Sequence, residues 1–201
     1  MGEVNGIGQG EGRGEILLRL ARRALEEVLD AATPEPEGTD PKEAATEGWL
    51  EEQGATFVTL TLDGKLRGCI GSLEPKRSLL EDVRRNARAA AFDDPRFAPL
   101  TVEELPEVTI EVSLLSPTEP IEVESEEDLL AALRPGVDGV VLESGFHRGT
   151  FLPQVWEQLP QAEDFVKHLK RKADLDADFW SPDMRVSRYT VTKWKEKGVR
   201  A

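Results

Sequence analysis

The chain shows its clearest strand pattern at residues 56–62, where apolar and polar residues alternate in the run TFVTLTL. Alternation with a period of two is typical of a strand that buries one face. The dipeptide Asp63-Gly64 follows, and Asp-Gly between two such runs predicts a two-residue hairpin turn. Residues 66–70 are therefore the predicted return strand of a hairpin.

Helical and strand periodicities alternate along the rest of the chain. Ser78 and Ser125 have the position and chemistry of helix N-caps. The predicted helices are Glu15–Ala32, a stretch of about fourteen residues after Ser78, Glu126–Leu133, a short helix from Pro153, and Glu163–Lys172. The further predicted strands are 108–115, 136–143, a return at 150–152, and one closing strand at 184–194.

Strands joined by hairpins, with helices on the outside, indicate an α+β fold. We expect a mainly antiparallel sheet flanked by three or four helices, with a smaller second lobe. The expected domain is 15–194, with the smaller lobe around 136–160. Residues 1–14 are Gly-rich without periodicity and are predicted to be a flexible tail, and residues 195–201 a C-terminal tail.

The charge balance excludes some classes of partner. The chain has 39 acidic and 25 basic residues and a net charge of −14, which argues against binding to nucleic acids or to anionic membranes. We expect no membrane span, because no long apolar run occurs, and no signal peptide, because the N-terminal segment lacks an apolar core. The one cysteine excludes an internal disulfide and fits the cytoplasm. No dinucleotide, P-loop or HExxH motif occurs, and the acidic residues form no metal box, so we expect no cofactor and no metal.

The predicted return strand carries the hexapeptide LRGCIG, residues 66–71. Successive side chains of a strand point to opposite faces, so Leu66 and Ile70 are predicted on one face and Arg67 and Cys69 on the other. Gly68 lies between Arg67 and Cys69 in the sequence. Glycines in a strand often mark the close approach of a ligand or of another backbone. The hexapeptide is therefore the first candidate site.

LRGCIG followed by Ser72-Leu73 resembles the signature of the AMMECR1 domain family. Further strings resemble the same family in the same order along 15–194: DPRF at 94–97, GVDG at 136–139, RGTFLPQV at 148–155 and KADL at 172–175. The resemblance implies a cleft lined by the LRGCIG strand. For relatives of the bacterial AmmeMemoRadiSam type it also implies a three-part system with a Memo-type dioxygenase-like protein and a radical S-adenosylmethionine (SAM) enzyme.

Three interpretations of Cys69 remain open. In the first, Cys69 is an activated thiolate beside a fixed cation and acts as a nucleophile or redox group. In the second, Cys69 is a small strand residue held by packing. In the third, Arg67 and the backbone amides from Gly68 to Gly71 bind a small anionic ligand. A nucleophile needs a base, and His147 is the candidate, with a polar turn residue as the alternative.

Two further arginines lie in family strings. Arg96 and Arg148 either share an anion site with Arg67 or form ion pairs, Arg96 with Asp93 or Asp94 and Arg148 with Glu143. Two classes of function follow from these alternatives. The chain is a binding or adaptor component of the three-part system, or it is an enzyme that uses Cys69 and Arg67.

Overall fold

The structure is a computed structural model that describes residues 7–29 and 48–197, with side chains from residue 12 onward. These residues fall into two compact units. The first comprises the described residues up to Leu115 together with those from Thr192 onward, and the second is Ser116–Val191. The second unit contains the segment predicted as the smaller lobe, 136–160, and extends beyond it on both sides.

The described residues contain four α-helices and ten strands. The helices are α1 (Ile7–Leu29), α2 (Leu79–Phe92), α3 (Glu126–Ala132) and α4 (Ala162–Lys172), with 3-10 helices at Gly48–Leu50 and Pro153–Glu157. The strands are β1 (Gln53–Gly54), β2 (Thr56–Leu62), β3 (Lys65–Gly71), β4 (Arg77–Ser78), β5 (Thr109–Leu115), β6 (Glu119–Pro120), β7 (Gly139–Ser144), β8 (His147–Phe151), β9 (Arg185–Tyr189) and β10 (Val191–Lys195). The predicted α+β fold class is confirmed.

The first unit is built on a four-stranded sheet with the order β10-β5-β2-β3. Helices α1 and α2 pack against each other, α1 also packs on β5, and α2 also packs on β2 and β3. Fully buried residues on α1, α2, β2 and β5 form the core between helices and sheet, among them Leu17, Leu25, Val83, Ala87, Val58, Leu60, Ile110 and Val112. Strand β3 is an outer strand of this sheet.

The structure contains the predicted hairpin turn and both predicted helix N-caps. Asp63 and Gly64 have φ angles of 50° and 74°, the left-handed conformation that an Asp-Gly hairpin turn requires. The Ser78 side chain accepts a hydrogen bond from the amide of Glu81, and Ser125 accepts one from Asp128, so both predicted N-caps are confirmed. Helix α2 ends at Phe92, before Asp94-Pro95, as predicted.

A helix and a strand extend into the two ranges predicted as tails. Helix α1 begins at Ile7 rather than Glu15, and a Cβ atom added to Gly14 would overlap the ring of Trp194. Glu196 pairs with Arg22 and accepts the Ile110 amide at 2.8 Å. The predicted start of the first helix at Glu15 and the predicted end of the closing strand at Trp194 are therefore wrong, because periodicity does not report contacts with distant segments. The flexibility of the two ends stays a prediction. Residues 1–6, 30–47 and 198–201, including the predicted end of the first helix at Ala32, lie outside the described residues.

The second unit is built on a sheet with the order β6-β9-β7-β8. Its core contains Phe165 and Leu169 of α4, and the Trp156 ring stacks on Phe165 with the ring centroids 3.8 Å apart. The single closing strand predicted at 184–194 is wrong. It is two strands that belong to different sheets, because the chain leaves the second unit's sheet after β9 and joins the first unit's sheet at β10 without interrupting its alternation.

Among the helices of the described residues, none has both the length and the apolar character needed to cross a membrane.

Candidate functional site

A β-bulge determines which side chains of the LRGCIG strand face the core. The hairpin pairs Leu62 with Lys65 and Thr61 with Leu66, but the next residue of β2, Leu60, pairs with Gly68. Arg67 is therefore the extra residue of a bulge. A shift of one residue in register exchanges the two faces of a strand.

The bulge places Cys69 on the face of the sheet opposite the helices. An uninterrupted register would pair Cys69 with Val58, which is fully buried in the core. The observed register pairs Cys69 with Thr59 and places Ile70 opposite Val58. The prediction that Leu66 and Ile70 share a face is therefore wrong. Leu66 is 44% exposed, whereas Ile70 packs against the core.

The two glycines of the motif allow close packing within the protein itself. A Cβ atom added to Gly68 would collide with the backbone carbonyl oxygen of Ala90 on α2, and one added to Gly71 would collide with the ring of Phe57. Helix and strand thus approach so closely at Gly68 that no side chain fits. Contact with a ligand at Gly68 or Gly71 remains a prediction.

The loop after α2 binds the open edge of β3 at Cys69. The Cys69 amide donates to Oδ2 of Asp94 at 2.9 Å, and the Cys69 carbonyl accepts from Nη2 of Arg96 at 3.3 Å. The Asp94 carboxylate also accepts Nε of Arg96 at 2.9 Å and Nη2 at 2.6 Å. The ion pair of Arg96 with Asp94, one of the two alternatives for this arginine, is therefore present.

Electrostatics make this ion pair persistent. The Asp94 side chain is 2% exposed, whereas that of Arg96 is 53% exposed. Hydrogen bonds from Arg96 hold the pKa of Asp94 well below its ordinary value, although burial acts in the opposite direction. The same hydrogen bonds raise the pKa of Arg96, and the charge of Asp94 adds to that increase. Asp94 is therefore ionised at neutral pH and fixes the guanidinium beside Cys69.

Arg67 holds a different part of the same loop. Its Nε and Nη2 bind the two carboxylate oxygens of Glu104, both at 2.9 Å, and Nη2 also reaches the Pro99 carbonyl at 3.3 Å. The pairing lowers the pKa of Glu104, chiefly through these hydrogen bonds. Nη1 of Arg67 is buried without a hydrogen-bond partner among the described residues. The guanidinium of Arg67 thus fastens the 99–104 segment to the strand, and Arg96 is the cation bonded to the Cys69 backbone.

The thiol of Cys69 lies in a polar row across three strands. Cys69 is half-buried, and Oγ1 of Thr59 donates a hydrogen bond to its Sγ at 3.3 Å. Glu111 of β5 pairs with Thr59 from the other side and therefore shares this sheet face. Sequence reasoning did not find Thr59, Glu111 or Glu104. Only the strand register and the path of the loop bring these residues to the motif.

His147 and Arg148 belong to the second unit, whereas Cys69, Arg67 and Arg96 belong to the first. Nδ1 of His147 lies 3.0 Å from the carbonyl oxygen of Ala173, at the end of α4. Nε of Arg148 lies 3.3 Å from Glu143, its cross-strand partner, so the ion pair predicted as the alternative is present. A catalytic role for His147 and an anion-binding role for Arg148 remain predictions.

Metal-binding side chains do not cluster in the part of the chain that the structure describes. Within 7–29 and 48–197, no group of three or more His, Cys, Asp or Glu residues is arranged to hold a metal ion.

Comparison with known proteins assigns this α+β chain, with its LRGCIG strand, to a family. The family model described as AMMECR1 matches residues 18–194, and the chain belongs to this family. A protein of Methanothermobacter thermautotrophicus is 39% identical over 191 residues, which cover 92% of this chain and 95% of the relative. Protein MJ0810 of Methanocaldococcus jannaschii is 34% identical over 194 residues, covering 91% of this chain and 90% of that one. The crystal structure of the uncharacterized protein PH0010 from Pyrococcus horikoshii is similar, with a TM-score of 0.71, 36% identity and 92% of each chain covered.

Proposed function

We propose that this chain is a cytoplasmic binding component of a three-part system with a Memo-type dioxygenase-like protein and a radical SAM enzyme. In that role it binds a small anionic ligand, or an anionic group of a partner, at Arg96 beside Cys69. The family resemblance supports the choice of system. The observation that carries the binding role is the half-exposed guanidinium of Arg96, anchored on a buried carboxylate.

The anchoring prepares Arg96 for recognition. Asp94 occupies Nε and Nη2, so the side chain is held in one orientation before any ligand arrives. Nη1 makes no hydrogen bond within the described residues and remains available as a donor. A positioned side chain loses less conformational entropy on binding than a free one, which favours affinity. Because Asp94 offsets part of the charge, recognition depends on hydrogen-bond geometry as well as on attraction between charges.

A titration with inorganic phosphate tests the binding role. We expect the amide resonances of Cys69 and Arg96 to shift together and to saturate with phosphate. Arg96→Gln removes the guanidinium and should abolish the shift. Arg148→Gln removes another arginine that lies beside a carboxylate and should leave the shift intact. If the shifts are absent, or are unaffected by Arg96→Gln, the proposed binding role is wrong.

Membership of the three-part system has its own test. We expect the chain to co-purify with the Memo-type protein or with the radical SAM enzyme of the same organism, and the Arg96→Gln variant to be recovered with a lower yield of partner. If the chain binds phosphate but co-purifies with neither protein, the binding role stands and the assignment to the three-part system is wrong.

A second candidate is an enzyme in which Cys69 is a nucleophile or redox group. The hydrogen bond from Thr59 to Sγ favours it, because a hydroxyl donor stabilises the thiolate form of a cysteine. Thr59→Val removes that donor at nearly constant volume. If Cys69 is an activated thiolate, its rate of alkylation by iodoacetamide at neutral pH falls severalfold in Thr59→Val and in Arg96→Gln. A thiol that reacts only after denaturation would identify Cys69 as a packing residue.

A further inference from the structure

Among the strands of the described residues, β3 is an outer strand of the first unit's sheet and is bonded to β2 on one side only. The free side of an outer strand presents unpaired N–H and C=O groups, which can pair with a strand of another molecule. In an antiparallel ladder, alternate residues turn their backbone groups away from the neighbouring strand. At Cys69 both backbone groups are turned away from β2, because they bond to Asp94 and Arg96.

Asp94 and Arg96 supply the two bonds that a neighbouring strand would make at Cys69. The carboxylate accepts the N–H at 2.9 Å, and the guanidinium donates to the C=O at 3.3 Å. We propose that this acid–base pair is an edge cap, which stops β3 from pairing with β3 of a second copy of the chain. The cap is independent of any ligand, because Nη1 of Arg96 takes no part in it.

A second contact strengthens the cap along the same strand. Arg67, the bulge residue of β3, is bound by Glu104 and by the carbonyl of Pro99. The loop is therefore fastened to β3 at two places, Cys69 and Arg67. Bulges and charged side chains are the features by which natural proteins protect sheet edges, and β3 has both.

A second copy is the expected occupant because two identical edge strands can pair about a two-fold axis. With the axis at Cys69, the two Cys69 residues form a hydrogen-bonded pair whose Cα atoms are about 5.5 Å apart. The two thiols then lie on the same sheet face and within reach of a short cross-linker that joins two thiols, although their Cβ atoms are too far apart for an unstrained disulfide. Since the chain has one cysteine, a covalent dimer reports pairing at this strand alone.

The test removes both fastenings with the double variant Asp94→Ala/Glu104→Ala. We expect the folded variant to self-associate with increasing concentration in light scattering. Bismaleimidoethane, in which each of the two maleimide rings adds one thiol, should then convert several times more of it than of the wild type into a covalent dimer. Asp93→Ala is the matched control, because this neighbouring aspartate is exposed, and it should behave as wild type. Adding Cys69→Ser should abolish the covalent dimer and leave the association.

Two results would overturn the edge cap. One is a double variant with native circular dichroism that forms no more associated species or cross-linked dimer than the wild type. The other is independent of any variant. The capped Cys69 amide should exchange with solvent at least tenfold more slowly than a free amide in native wild-type protein, and rapid exchange would show that Asp94 does not occupy the strand edge.

Discussion

Replacement of Gly68 by alanine tests the close contact between strand β3 and helix α2. The added Cβ would lie 2.0 Å from the carbonyl oxygen of Ala90, whereas ordinary contacts begin near 3.4 Å, so strand and helix must separate by about 1.4 Å. The colliding atom belongs to the helix backbone and cannot rotate away. Overpacking of this kind costs about 1–3 kcal/mol, and we expect the upper end of that range.

The magnitude is large relative to the stability of a typical domain, which is about 5–15 kcal/mol. Urea unfolding, followed by far-ultraviolet circular dichroism, measures the loss of stability in Gly68→Ala. Gly12→Ala is the matched control, because Gly12 lies in α1 with open space around its Cα. Alanine there should stabilise the helix by about 1 kcal/mol. If Gly68→Ala is as stable as the wild type, the close approach of α2 does not explain why this strand residue is glycine.

Two further substitutions test the buried charges. Asp94→Asn should lower the free energy of unfolding at neutral pH by on the order of 2 kcal/mol. The pKa of Asp94 is lower in the folded chain than the unfolded value of about 3.9, so its contribution is complete above that pH and is lost as the pH falls through the folded pKa. In urea titrations from pH 7 to 3, the difference in free energy of unfolding between wild type and Asp94→Asn should therefore shrink below pH about 4. A difference that grows on acidification would contradict the lowered pKa of Asp94. Lys170→Met should lower the melting temperature through a loss of about 1–3 kcal/mol, because fully buried Lys170 bonds to Glu126 at 2.9 Å and to the carbonyl of Ala177 at 3.2 Å. Lys167→Met, on the exposed side of α4, should change stability by less than about 0.5 kcal/mol, and equal effects of the two changes would refute the role of the buried pair.

The hairpin and the helix caps could be predicted because their signals are local. Asp63-Gly64 specifies its own turn, and Ser78 and Ser125 accept amide protons from residues close in sequence. The bulge at Arg67 has no local signal. It follows from a conflict between the turn, which fixes one register, and the core, which needs Ile70 rather than Cys69 opposite Val58.

The sequence indicated the residues of the candidate site, but it did not indicate which of them bond to one another. Sequence reasoning singled out Cys69 with Arg67 as the adjacent cation. In the structure the path of the 93–104 loop determines which arginine meets which carboxylate, and Arg96 becomes the cation at the Cys69 backbone. Such long-range pairing depends on the folded chain as a whole, and neither periodicity nor residue type reports it.

The most direct test of Arg96 as an anion-recognition residue compares two alkylating reagents at Cys69. Iodoacetate is a small anion and iodoacetamide is its neutral analogue, so the ratio of their rates, divided by the ratio in denatured protein, measures attraction of an anion to the thiol. We predict a native ratio severalfold higher than the denatured one, which falls in Arg96→Gln and is unchanged in Arg67→Gln. A native ratio equal to the denatured one, or a ratio that falls only in Arg67→Gln, would contradict the proposed role of Arg96.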